Sequence, residues 1–99
     1  MPTIDTYIAG VKFYPGVGVM LRQLARGTEL QLEPQDDNRF DPTAVKVLHN
    51  GTHVGYIPAF LSNKVLNLIN NNQFEKIEKD EGVLITIYYE EMEEETTEA

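Results

Sequence analysis

Residues 34–57 read PQDDNRFDPTAVKVLHNGTHVGYI, a polar loop that closes on Asn38-Arg-Phe-Asp-Pro42 and then opens into two short alternating runs. Asn50-Gly51 lies between those runs. Both residues accept the positive φ that a two-residue hairpin turn demands, so the spacing predicts antiparallel strands on either side. Val45 and Val47 mark the inward face of the first, Ala44–Leu48, while Val54 and Ile57 mark the second. Phe40 and Asp41 then stand at the mouth of the hairpin, held by Pro42. Chemistry belongs to the loop, and the strands hold it.

Upstream, Tyr7, Ala9, Val11 and Phe13 alternate, which predicts a first strand over Thr6–Phe13, with Gly10 as a bulge or a close backbone approach. Tyr14-Pro15-Gly16 ends it. Val17, Met20, Leu21 and Leu24 follow i, i+3, i+4, i+7 and predict a short amphipathic helix, with Arg22 and Arg26 toward its end and Gly27 as its stop. Thr28–Glu33 alternates strictly and predicts a strand closed by Pro34. Downstream, Phe60, Leu61, Val65, Leu68 and Ile69 form a helical stripe, opened by Pro58 or, in the alternative, capped later by Ser62 or Asn63. Asn70-Asn71-Asn72 ends the helix. Phe74–Lys79 and Val83–Tyr89 alternate around Asp80-Glu81-Gly82 and predict a closing hairpin. Six short strands and two helices at this spacing imply a mainly β, partly open antiparallel barrel over residues 1–89.

The 99 residues carry sixteen acids against eight bases, a formal charge of −8. Six of the acids (Glu90, Glu91, Glu93, Glu94, Glu95 and Glu98) lie in residues 90–99, where there is no base. An acidic tail of disordered composition thus follows a body whose own charge is close to neutral. A chain of this length buries roughly 60–65% of its unfolded surface, enough for one modest core and no large enclosed active site. No cysteine is present, so disulfides and thiolate metal sites are excluded. Neither a signal peptide nor a membrane-spanning run is visible, so no membrane partner is expected and a cytoplasmic location is the default.

Catalysis finds no support. His49 and His53 flank the turn in line, do not converge with a nucleophile, and read as solvated turn residues. Asp36, Asp37, Asn38 and Asp41 glance at a calcium loop, yet Phe40 takes a required ligand position and no glycine follows. Gly16-Val-Gly18 lacks the pattern of a phosphate cradle. No metal or cofactor is implied. What remains is a binding set: Lys12, Phe13 and Tyr14 at the end of the first strand, Asn38, Arg39, Phe40 and Asp41 before the third, and Tyr56 in the fourth. Rings on two separate segments, with a cation and amides nearby, suit the end of a single-stranded nucleic acid, where bases stack and phosphates are held. Each phenylalanine taken singly is more often core than a stacking platform.

At these residues the chain resembles the HIRAN domain. The resemblance rests on AGVKFYPG (9–16), LEP (32–34), NRFDPTAVKV (38–47), Asn50-Gly51 and VGYIP (54–58), in that order, and covers about residues 6–70. It implies an OB-like β-barrel that, in a helicase-like member acting in DNA repair, captures the 3′ end of single-stranded DNA. By the same resemblance Phe13 and Phe40 are the rings around the terminal base, and Asp41 accepts a hydrogen bond from the 3′-hydroxyl. Lys12 and Asn38 meet phosphate or base, and Tyr56 replaces a histidine. Asp37 stands in place of an asparagine, and Pro58-Ala59 in place of a basic pair that backbone binding uses. The expected function is therefore weak recognition of single-stranded DNA ends by a non-enzymatic module. The alternative is a protein-interaction adaptor that has lost end binding and works through an exposed edge at Val83–Tyr89 or through the acidic tail.

Overall fold

Asn50 and Gly51 take φ of 50° and 85°, the left-handed pair that folds β3 (Val45–His49) back on β4 (Thr52–Tyr56). A computed structural model of the chain describes residues 1–91. The remaining elements are β1 (Thr3–Tyr7), a single 3₁₀ turn (Val11–Phe13), α1 (Val17–Gln23), β2 (Glu29–Pro34), α2 (Ala59–Asn70), β5 (Phe74–Lys79) and β6 (Leu84–Tyr89). The six strands form one antiparallel sheet in the order β1-β6-β5-β2-β3-β4, curled into a half-barrel. No helix among the described residues is long and apolar enough to cross a membrane.

Cross-strand pairs of branched side chains carry the sheet. Ile4, Ile87, Ile77 and Leu30 lie opposite one another across β1, β6, β5 and β2, and Leu32 faces Val47 on β3. Ile77, Ile87, Val45, Val47, Val54 and Val65 are fully buried, joined by Leu21 from α1. Burying each such side chain contributes about 1.5–3 kcal/mol, which is why the alternating pattern fixes which face points inward.

Closure depends on one seam. Ala9 donates to the Tyr56 carbonyl at 2.8 Å and accepts from the Tyr56 amide at 3.0 Å, joining the segment after β1 to the far edge of the sheet. A bulge between Val47 and Leu48 shifts the β3–β4 register there. At Gly55 a side chain would not fit: a Cβ would sit 2.4 Å from Ile8 Cγ2 and 2.6 Å from the Ala9 carbonyl. The glycine is what lets two backbones approach this closely.

Five expectations about the elements are corrected. The first strand is Thr3–Tyr7, not Thr6–Phe13, because Gly10 at φ 77° turns the chain into the 3₁₀ helix and breaks the apparent alternation. Helix α1 ends at Gln23 with Leu24 extended, so Gly27 is not its stop; the Gly27 amide instead bonds the Lys79 carbonyl at 2.9 Å. Ser62 lies buried inside α2 and Asn63 follows it within the helix, with Pro58 as the residue before the first turn, while Phe60 points away from the core at 74% exposure. Finally, Val83–Tyr89 is no edge: β6 pairs with β1 on one side and β5 on the other, so the adaptor surface expected there is absent. The acidic tail lies outside the described residues from 92 onward.

Candidate nucleic-acid interface

The 3₁₀ turn sits between two left-handed glycines, Gly10 at φ 77° and Gly16 at φ 82°. The Phe13 amide bonds the Gly10 carbonyl and the Tyr14 amide the Val11 carbonyl, each at 3.0 Å. This tight bend leaves Phe13 74% exposed. Across from it, the loop after β2 is wound on its own side chains. Asn38 Oδ1 accepts from the amides of both Phe40 and Asp41 at 2.9 Å, and Asn38 Nδ2 donates to Gln35 Oε1 at 3.1 Å. An asparagine bonding forward in this way substitutes for backbone pairing and fixes the turn. Phe40 is thrown outward, 95% exposed, with its backbone held.

Asp41 is tied down at one oxygen. Its Oδ1 accepts from the Thr43 amide at 2.9 Å and the Thr43 hydroxyl at 2.6 Å, while Oδ2 has only Ser62 Oγ, at 3.4 Å. The Thr43 hydroxyl, and after it the Thr43 amide, holds the carboxyl below its ordinary range, so Asp41 is ionised and keeps acceptor capacity on Oδ2. Ser62 Oγ lies 2.8 Å from Thr43 Oγ1 and fastens the loop to α2.

A layer of aromatic side chains backs this arrangement. Tyr56 donates to Gln35 Oε1 at 2.8 Å, linking β4 to the loop. The His53 ring packs 5.0 Å from Tyr14 and 4.8 Å, edge-on, from Tyr56, and its Nε2 lies 2.9 Å from the Gly55 carbonyl. His53 is therefore half-buried scaffolding and not the solvated turn residue its position beside Asn50-Gly51 suggested. Burial, and secondly the neighbouring Tyr56 hydroxyl, push the Tyr14 phenol up from its ordinary value.

Phe13, Asn38, Phe40, Asp41 and Tyr56 line one open cleft of about 380 Å³, together with Gly10, Tyr14, Ala44 and Ala59. Lys12 sits at its lip, with Nζ 5.4 Å from the centre of the Phe13 ring. Arg39 is exposed on the loop and does not line the cleft. Asn38 lines it, but with its carbonyl and amide committed to the loop, so the geometry suits it to positioning Phe40 and Asp41. Gln35 and Thr43 were not singled out in the sequence, and Ser62 was read there only as an alternative helix cap. Gln35 and Tyr56 are twenty-one residues apart, as are Asp41 and Ser62, and no local pattern marks such partners.

Asp36, Asp37 and Asp41 lie on the loop of this site, whereas the segments before and after it are free of acids. No Asp or Glu occurs between Asp5 and Glu29 or between Asp41 and Glu75, and those two stretches supply the 3₁₀ turn, both helices and the β3–β4 hairpin. Helix α2 begins at the cleft wall with no acid in its first turn and no side chain capping its amides. Its positive end is thus left open to a ligand. Among the described residues no group of three or more metal-ligating side chains is assembled.

Residues 1–92 match the sequence model of the HIRAN domain. No protein of curated function matches the chain. Among solved structures, the crystal structure of the HIRAN domain of human HLTF superposes with a TM-score of 0.69 at 19% identity, covering 90% of this chain and 77% of that one. An NMR structure of the HLTF HIRAN domain in its DNA-bound conformation gives 0.62 at 18% identity, covering 88% and 73%. A Lactobacillus plantarum protein gives 0.62 at 16% identity, covering 88% and 87%. At these identities the likeness is one of fold.

Proposed function

Since the chain belongs to the HIRAN domain family, we propose that it is a nucleic-acid-binding module whose cleft receives the 3′ end of single-stranded DNA. One observation carries this reading: Phe13 and Phe40, on separate segments, stand exposed at a cleft that also holds an ionised carboxylate. Exposing a phenyl ring forgoes about 1.5–3 kcal/mol of burial, and stacking on a base recovers about 1–3 kcal/mol. The terminal base takes the rings. Asp41 Oδ2 accepts a hydrogen bond from the 3′-hydroxyl, since Thr43 already occupies Oδ1. Lys12 and Arg39 meet phosphate at the rim, and the open positive end of α2 stands in for the absent basic pair at Pro58-Ala59. Asn38 and Tyr56 hold the loop that carries Phe40 and Asp41.

The module works by binding and does no catalysis. Its DNA partner is the HLTF domain's partner carried over by shared fold and family. The adaptor reading has lost the sheet edge on which it stood. Fluorescence anisotropy at low salt, with oligonucleotides bearing a free or a phosphorylated 3′ end, tests the proposal. The free end is preferred, and Phe40→Ala abolishes the preference. Equal affinity for the two ends removes the role of Asp41, and no binding to either removes the function.

A further inference from the structure

The cleft has room for one nucleotide, whereas single-strand-binding folds of this kind cover about 4–16 nucleotides. Something beyond the cleft must carry the rest of the strand. We infer that the outward face of α2 is that track, binding the nucleotides on the 5′ side of the terminal one; the inference rests on the end-binding reading above. Phe60 is the residue next to Ala59 of the cleft wall, and it is 74% exposed although it falls within an otherwise inward-facing apolar stripe. Asn63, Lys64 and Asn67 follow at i+3, i+4 and i+7, all exposed and all on the face that Phe60 begins. A ring, two amides and an ammonium in line are what a sequence-tolerant single strand uses: a π-face for a base and donors for phosphate.

Charge favours the same occupant. Helix α2 contains no carboxylate, and neither does the chain from Pro42 to Phe74, in a protein with sixteen acids. Lys64 makes no ion pair among the described residues; its Nζ lies 5.7 Å from the centre of the ring of Tyr89, the residue before Glu90. Continuity with the cleft decides the direction. The strand enters the cleft by its 3′ end and leaves along α2 toward Asn67 and Asn70.

Length dependence tests the track. Anisotropy is measured for a labelled 5′-mononucleotide with a free 3′-hydroxyl and for an oligonucleotide of about ten nucleotides. The wild-type chain binds the longer one more tightly. Phe60→Ala and Lys64→Gln each weaken the longer one about five- to tenfold and leave the mononucleotide unchanged, and Lys64→Gln lowers the salt slope by about 0.7. Circular dichroism confirms that both variants fold. Three results overturn the track while sparing the end-binding reading: wild-type affinity independent of length, variants that bind both lengths like wild type, or a Phe60→Ala chain changed only in self-association by sedimentation. Loss of mononucleotide binding in both variants also overturns it, placing Phe60 and Lys64 in the cleft. A wild-type chain that binds neither length overturns both readings.

Discussion

Phe40 buries almost none of its ring, so truncating it removes little from the folded state. Phe40→Ala is expected to leave urea stability within about 0.5 kcal/mol of wild type, the range for surface changes, while DNA affinity falls by about 1–3 kcal/mol. A large stability loss would instead mark the ring as structural. Asp41 makes a second prediction. Thr43 holds its folded-state carboxyl below the ordinary value, so the folded chain favours the carboxylate. That contribution is complete above the unfolded carboxyl range, near pH ~4, and is lost as pH falls through the lower folded value. Over about pH 5–8 Asp41 stays charged, and affinity for the free 3′ end is expected to be flat by anisotropy. A free-end affinity that switches within that window would mean that Asp41 does not make the hydroxyl contact. At this scale the sequence named Phe13, Asn38, Phe40, Asp41 and Tyr56 of the cleft lining but not the bonds that hold them. Asn38, read as a phosphate or base contact, has its carbonyl engaged by the Phe40 and Asp41 amides and one of its two amide hydrogens by Gln35.

The elements follow their local patterns wherever pattern and packing agree. The Asn50-Gly51 hairpin, β2 and the buried stripe of α2 at Val65 and Leu68 formed as their spacing required. The pattern misled at Tyr7, Ala9, Val11 and Phe13, which alternate like one strand but straddle the left-handed bend at Gly10. Phe60 misled in the same way, since helical spacing alone cannot tell an inward ring from one left in solvent. The seam at Gly55 gives the prediction that belongs to this scale. Gly55→Ala drives a Cβ against Ile8 and the Ala9 carbonyl, and is expected to cost about 1–3 kcal/mol or more in urea unfolding. Because Ala9 leads directly into the 3₁₀ turn, the same change displaces Phe13 and weakens DNA binding. Unchanged stability would show that the closure yields easily.

For the whole molecule the formal charge of −8 opposes binding to a polyanion, and Asp36, Asp37 and Asp41 lie on the loop that carries Phe40, but residues 6–28 and 42–74, which supply the 3₁₀ turn, the β3–β4 hairpin and α2, hold no carboxylate. Attraction then comes from a few local contacts. With two or three phosphates engaged, log affinity against log salt is expected to fall with a slope of only about −1.5 to −2, at about 0.7 per phosphate. Shortening the chain to residues 1–91 deletes Glu93, Glu94, Glu95 and Glu98, four negative charges, and is expected to raise affinity at low salt and to do nothing near physiological salt. Equal gains at both salts would mean that the tail contacts the cleft directly.

The amino-acid order alone determined five of the six strands, both helices and the Asn50-Gly51 turn and, through its family resemblance, pointed to the two rings and the carboxylate that lie at the cleft. All of these rest on neighbours within a few positions or on a motif read in one stretch. Only the tertiary structure decided that β6 is paired on both sides, that Gly55 passes beneath Ala9, and that Tyr56 reaches Gln35 while Ser62 reaches Asp41. Those relations join residues far apart in the chain, and they are set by which surfaces can be buried together, a quantity no local spacing records.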